Sequence, residues 1–124
     1  MAKNVWIVDD DREMAEAIGL MLDLLGHRRR IFLSGKAAGR ALLQGPPPDV
    51  ILLDLNMPVV PGDEFLKFVR SRRQWQRIRV FMLTSEFAET ERTRLLGLGA
   101  NGYLTKPVAL EELEAVLEGQ GGGG

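Results

Sequence analysis

At 124 residues the chain has room for one ordinary domain around a single core, and 45% hydrophobic with 27% charged residues is the balance of a folded protein rather than a disordered one. Sixteen basic against seventeen acidic residues leave a net charge of −1, which excludes the global positive field that drives nucleic-acid binding, and the lack of cysteine excludes disulfides and thiolate chemistry. Met1 to Asn4 lead straight into an apolar strand pattern, too short a lead for a signal peptide or membrane span. The expectations are a cytoplasmic location, no membrane and no direct nucleic-acid contact.

The first apolar run, Val5-Trp6-Ile7-Val8, is continuous rather than alternating, as in a parallel strand buried on both faces. Met14, Ala17, Ile18, Met21, Leu22 and Leu25 then recur at spacings of three and four, which predicts a helix capped by Asp11 and stopped by Gly26. A weaker strand is predicted at Arg30 to Leu33; its basic approach, Arg28-Arg29-Arg30, suits an edge that must avoid pairing. His27 is expected in an exposed loop.

Helical patterns follow at Lys36 to Leu43, Gly62 to Arg72, Glu89 to Leu98 and Leu110 to Glu118, the last without an obvious side-chain cap. Between them lie two more continuous runs, Val50-Ile51-Leu52-Leu53 and Val80-Phe81-Met82-Leu83, and a short strand at Gly102 to Leu104. Gly45-Pro46-Pro47-Pro48 reads as a rigid surface loop. Arg70, Arg72, Arg73, Arg77 and Arg79 read as a solvated face. Residues 1–118 form the expected domain, and 119–124, five glycines and one glutamine, a flexible tail: a linker remnant or an expression scar.

The order βαβαβαβαβα demands right-handed crossovers, and the economical result is a doubly wound α/β sandwich of three layers. Sites in such folds form at the carboxyl ends of the strands. Polar groups crowd there: Asp9, Asp10 and Asp11 after the first run, Asp54 after the third, then Thr84-Ser85 and Thr105-Lys106-Pro107. If the first and third strands are neighbours, Asp9, Asp10 and Asp54 meet, and crowded carboxylates call for a cation or raised pKa values; an all-oxygen set points to Mg2+. A carboxylate flanked by Mg2+, the Lys106 ammonium and the Thr84 hydroxyl is a workable phosphoryl-transfer site, which needs in-line positioning and neutralised oxygen charge.

The segments Val5 to Asp11, Asp54-Leu55-Asn56-Met57-Pro58, Gly62, Thr84-Ser85 and Lys106-Pro107 together resemble the receiver domain of response regulators over nearly the whole folded length. Thr84, Tyr103 and Lys106 stand 30, 49 and 52 positions beyond Asp54, the family spacing. The resemblance implies a flavodoxin-like fold with five parallel strands in the order 2-1-3-4-5 and five helices. It implies Asp54 as phosphoacceptor, Asp10 as a direct Mg2+ ligand, Asp9 as a ligand acting chiefly through water, and the Asn56 carbonyl as the remaining protein ligand. Lys106 would pair with the phosphoryl group, Thr84 would hydrogen-bond it, Tyr103 would report the state of Thr84, and Pro107 would follow a cis peptide bond. The implied partners are a sensor histidine kinase or phosphotransfer protein, an output domain beyond the glycine tail, and a second copy bound through helix 4, strand 5 and helix 5.

Two rivals come from other classes. A phosphatase with an aspartate nucleophile expects a second acid two residues on, where Asn56 stands. A degenerate receiver that only binds, or a flavodoxin-like cofactor carrier, fits poorly with a full acidic, hydroxyl and lysine set.

Overall fold

The computed structural model describes residues 2–85 and 88–119. Its elements run β1 (Asn4–Val8), α1 (Arg12–Leu24), β2 (Arg28–Phe32), α2 (Gly35–Gln44), β3 (Val50–Asp54), α3 (Gly62–Arg70), a 3-10 turn (Arg73–Trp75), β4 (Arg79–Thr84), α4 (Glu89–Gly97), β5 (Gly102–Thr105) and α5 (Leu110–Leu117). The five strands form one parallel sheet in the order β2-β1-β3-β4-β5. Central β3 is buried at every position. Of the tail expected at 119–124, residues 120–124 lie outside the described residues.

Alternate residues of each strand feed two cores, because side chains of a strand point to opposite faces. Val5, Ile7, Leu52, Phe81 and Leu83 pack with Ile18 and Leu22 of α1 and Leu113 and Leu117 of α5. Trp6, Val8, Ile51, Leu53 and Met82 pack with Leu42 of α2, Phe65 and Leu66 of α3, and Leu95 of α4. This double burial is why the strand sequences are continuous apolar runs. No helix among the described residues is long and apolar enough to cross a membrane.

Helix ends follow local chemistry. Asp11 accepts from the Met14 N–H at 3.1 Å and Ser34 from the Ala37 N–H at 3.1 Å, so α1 and α2 start on side-chain caps. Gly26, at φ 82°, takes the left-handed turn that closes α1. Ala109 offers α5 no side-chain cap, as its sequence suggests.

Three expectations need correction. β2 begins and ends earlier than predicted, at Arg28–Phe32, because its register is pinned at both ends: Arg28 N–H donates to the Lys3 carbonyl at 2.9 Å and Asp9 N–H to the Phe32 carbonyl at 3.0 Å. His27 is half-buried rather than exposed, and its Nδ1 accepts from the Lys3 N–H at 3.0 Å. Burial, with the nearby Lys3 charge, lowers its pKa.

The third correction is Arg70, which belongs to no solvated face. Where α3 ends, two residues short of the predicted Arg72, its guanidinium turns inward and donates to the carbonyls of Gly99 (2.9 Å), Trp75 (3.2 Å) and Ile78 (2.8 Å) and to Asn101 Oδ1 (2.9 Å). Asn101 Oδ1 also accepts from the Val80 N–H at 2.8 Å. One side chain thus ties the end of α3 to the start of β4 and to the α4–β5 turn. The substitution Arg70→Met keeps the apolar stem but removes the guanidinium donors from several part-buried acceptors at once, so it should lower stability by roughly 2–4 kcal/mol. Urea unfolding checks this; a loss under about 0.5 kcal/mol, the size of a surface substitution, would contradict it.

Candidate functional site

The sheet delivers one polar group from each of four strand ends to a single place. β1 and β3 are neighbours with Val8 opposite Leu53, so the next residues, Asp9 and Asp54, emerge side by side. β4 ends on Thr84, paired with Thr105 of β5, and Lys106 follows, its N–H donating to the Thr84 carbonyl at 3.0 Å. Carboxylate oxygens of Asp9, Asp10 and Asp54 all lie within 4.8 Å of one another. Asp9 and Asp54 are buried, whereas Asp10 faces solvent.

Lys106 is the bridge. Its Nζ lies 3.0 Å from Asp54 Oδ1 and 3.2 Å from Asp9 Oδ2. The first contact is an aligned hydrogen bond; the second is an ion pair without that alignment, so Asp9 Oδ2 is fully buried yet carries no hydrogen bond. Backbone donors add to these contacts: Asp11 N–H donates to Asp9 Oδ1 at 2.9 Å, and Asn56 N–H to the same Asp54 Oδ1 that Lys106 engages, at 3.3 Å.

The charges do not balance, and the pKa values register it. Burial is the chief cause that raises Asp54, and the Asp9 charge adds to it; the hydrogen bonds from Lys106 and Asn56 pull the other way, and the net is a carboxyl pushed up from 3.8 to about 6. Burial works against the Lys106 ammonium too, but its hydrogen bond to Asp54 and the two carboxylate charges outweigh that and raise it above an ordinary lysine. A buried oxygen without a hydrogen bond, in a set of oxygen donors with surplus negative charge, fits a hard divalent cation such as Mg2+.

The β3–α3 loop is clamped beneath the site. Gly62 N–H donates to the Leu55 carbonyl at 2.9 Å, and a Cβ on Gly62 would collide with the Asp54 carbonyl oxygen and come within 2.8 Å of Leu55 Cα. Only glycine fits there. Pro58, Val59 and Val60 close the loop tip in a tight turn with Val59 at φ 68°. The Lys106–Pro107 peptide bond is cis.

Tyr103 is half-buried, packed on the core beneath α3 and α4, with the Arg92 guanidinium 4.6 Å from its ring centroid. The buried Thr84 shares its side of the sheet, since Met82 opposes Tyr103 and Thr84 is two residues on. Every residue singled out in the sequence, Asp9, Asp10, Asp54, Asn56, Thr84, Tyr103, Lys106 and Pro107, therefore lies at or beside this strand end. Sequence reasoning missed Arg92, because nothing in a helical charge pattern marks which arginine lies over an aromatic ring.

Comparison with known proteins agrees with this geometry. Residues 5–118 match the family described as the response regulator receiver domain. The chain belongs to that family. This receiver domain is similar to the KDP operon transcriptional regulatory protein KdpE of Escherichia coli K12, with 34% identity over 92% of the chain and 49% of the relative, and to the transcriptional regulatory protein QseB of Escherichia coli O157:H7, with 35% identity over 93% and 51%. It spans about half the length of these curated relatives. Among solved structures it resembles a response regulator from Chloroflexus aurantiacus (TM-score 0.89, 28% identity, 97% of this chain and 98% of that one) and the chemotaxis response regulator CheY4 of Vibrio cholerae (TM-score 0.87, 31% identity, 97% and 99%). The receiver domain is a phosphorylation-dependent signalling domain of the two-component type.

The crowded carboxylates have a cost that can be measured. A carboxyl raised in the folded state holds its proton more tightly there, so its contribution favours folding below about pH 3.8 and is lost as pH rises through about 6. Asp54→Ala should therefore gain stability on the order of 1–2 kcal/mol at pH 7 in metal-free buffer, less than the full shift implies because Lys106 loses a partner. The gain should vanish near pH 3 and shrink when Mg2+ is added. Denaturant melts at the two pH values provide the check; a loss of stability in metal-free buffer at pH 7 would contradict a repulsive cluster.

Proposed function

We propose that Asp54 is the phosphoacceptor of this receiver domain and that the phosphoryl group comes from a phosphohistidine on a sensor kinase or phosphotransfer protein. The observation that carries the reading is the Lys106 ammonium held between the buried carboxylates of Asp9 and Asp54. Asp54 Oδ1 is engaged by Lys106 and Asn56, which leaves Oδ2 as the attacking oxygen. The carboxylate oxygen forms the new P–O bond, the P–N bond to the donor imidazole breaks, and the imidazole nitrogen keeps the electron pair and takes a proton from solvent.

Lys106 supplies positive charge to the transferring oxygens and the Thr84 hydroxyl a hydrogen bond, which is most of what phosphoryl transfer asks of a protein. Asp9, Asp10, Asp54 and the Asn56 carbonyl would hold Mg2+, which when bound neutralises phosphoryl oxygen charge. The chain catalyses its own phosphorylation and dephosphorylation and turns over no separate substrate. The acyl phosphate draws Thr84 toward it, Tyr103 moves into the space vacated, and the surface of α4, β5 and α5 changes. That surface is the one offered to an output domain or a second copy.

Incubated with acetyl phosphate and Mg2+, the protein should gain the mass of one phosphoryl group, and it should gain none in excess chelator or as Asp54→Ala. Intact-mass spectrometry reads this directly. Undiminished labelling of Asp54→Ala would remove Asp54 from the acceptor role.

A further inference from the structure

α4 is the least anchored helix of the fold. Among its described residues only Leu95 is buried, whereas α1 and α3 each bury four. Three residues before Leu95, on the same side of the helix, Arg92 lies half-buried with its guanidinium over the Tyr103 ring at 4.6 Å. Arg94, by contrast, turns outward to Glu91 (2.6 Å) and Asp63 (3.2 Å). On this side of α4, Leu95 enters the core and the Arg92 cation stacks on the sole tyrosine of the chain, in the edge strand of the sheet.

We propose that Arg92 is a positioning residue of the switch: it holds the Tyr103 ring in the half-exposed place seen here, so that moving the ring inward requires this stack to break. The proposal rests on the reading of Thr84 and Tyr103 as the switching pair. A cation facing an aromatic ring attracts it through the ring quadrupole, and at a partly exposed site the attraction biases a two-state balance by roughly two- to fivefold. A contact made in only one of two states shifts their populations, and by linkage it shifts the affinity of any ligand that prefers the other state by the same factor. Arg92 thus opposes phosphorylation without touching the acidic site, and its loss should make the switched state easier to reach.

Because the chain has a single tyrosine, uniform 3-fluorotyrosine labelling gives one fluorine signal, from Tyr103. Wild type, Arg92→Gln, Arg92→Lys and Arg94→Gln would be titrated with beryllofluoride in saturating Mg2+, following that signal together with the amides of Thr84 and the Asp54 loop. The expected result is a beryllofluoride midpoint about two- to fivefold lower in Arg92→Gln, an intermediate one in Arg92→Lys, which keeps the charge but not the planar stack, and a wild-type value in Arg94→Gln, which removes the same charge from the same helix. An unchanged midpoint in Arg92→Gln, or an equal fall in Arg94→Gln, overturns the role of Arg92 and leaves the acceptor assignment standing. A wild-type Tyr103 signal that ignores beryllofluoride while the Asp54 loop responds overturns the switching pair, and Arg92 with it.

Discussion

The buried contact among Asp9, Lys106 and Asp54 organises this molecule. Two carboxylates and one ammonium meet where water is largely excluded, and one cation cannot satisfy both acids: it makes an aligned bond to Asp54 and leaves Asp9 Oδ2 with charge contact only. Uncompensated charge in a low-dielectric place is costly, and it persists here because the surrounding core holds the groups together. The same imbalance makes the place receptive. A divalent cation would relieve it.

The rest of the fold holds those three side chains fixed. Parallel pairing of β1 with β3 puts Asp9 beside Asp54, the β4–β5 pair carries Lys106 across from the far edge, and Gly62 lets the β3–α3 loop lie against the Asp54 backbone. On the opposite end of the strands, Arg70 performs a purely structural task, closing the α3, β4 and α4–β5 connections by hydrogen bonds to carbonyls. α4 is gripped least, so displacement at the acidic end has somewhere to go. Rigidity at the site and looseness at α4 are both consequences of where apolar residues were placed.

Most of this architecture was legible in the residues. Continuous runs such as Val50 to Leu53 announce strands covered on both sides, and the acids and the lysine stand immediately after them, where a doubly wound sheet places its sites. What could not be read depended on contacts between distant segments. The start of β2 is set by a hydrogen bond to Lys3 and its end by one from Asp9, not by the composition of this basic, weakly patterned strand. His27 does lie in the loop between α1 and β2, but its burial is hidden in the sequence because its partner is the backbone of Lys3, and Arg70 reads as solvated because its acceptors are carbonyls, which leave no mark in a charge pattern. Arg92 is the same case on α4: it lies over a ring eleven residues away on another element.

The central claim is that crowding and burial hold Asp54 in a strained ionisation state that a cation releases. Its carboxyl carbon, observed by carbon-13 NMR during a pH titration, tests this most directly. In metal-free buffer the Asp54 signal should titrate with a midpoint of about 6, and saturating Mg2+ should move that midpoint down toward or below the ordinary 3.8. A midpoint near 3.8 without metal, unmoved by Mg2+, would contradict the account.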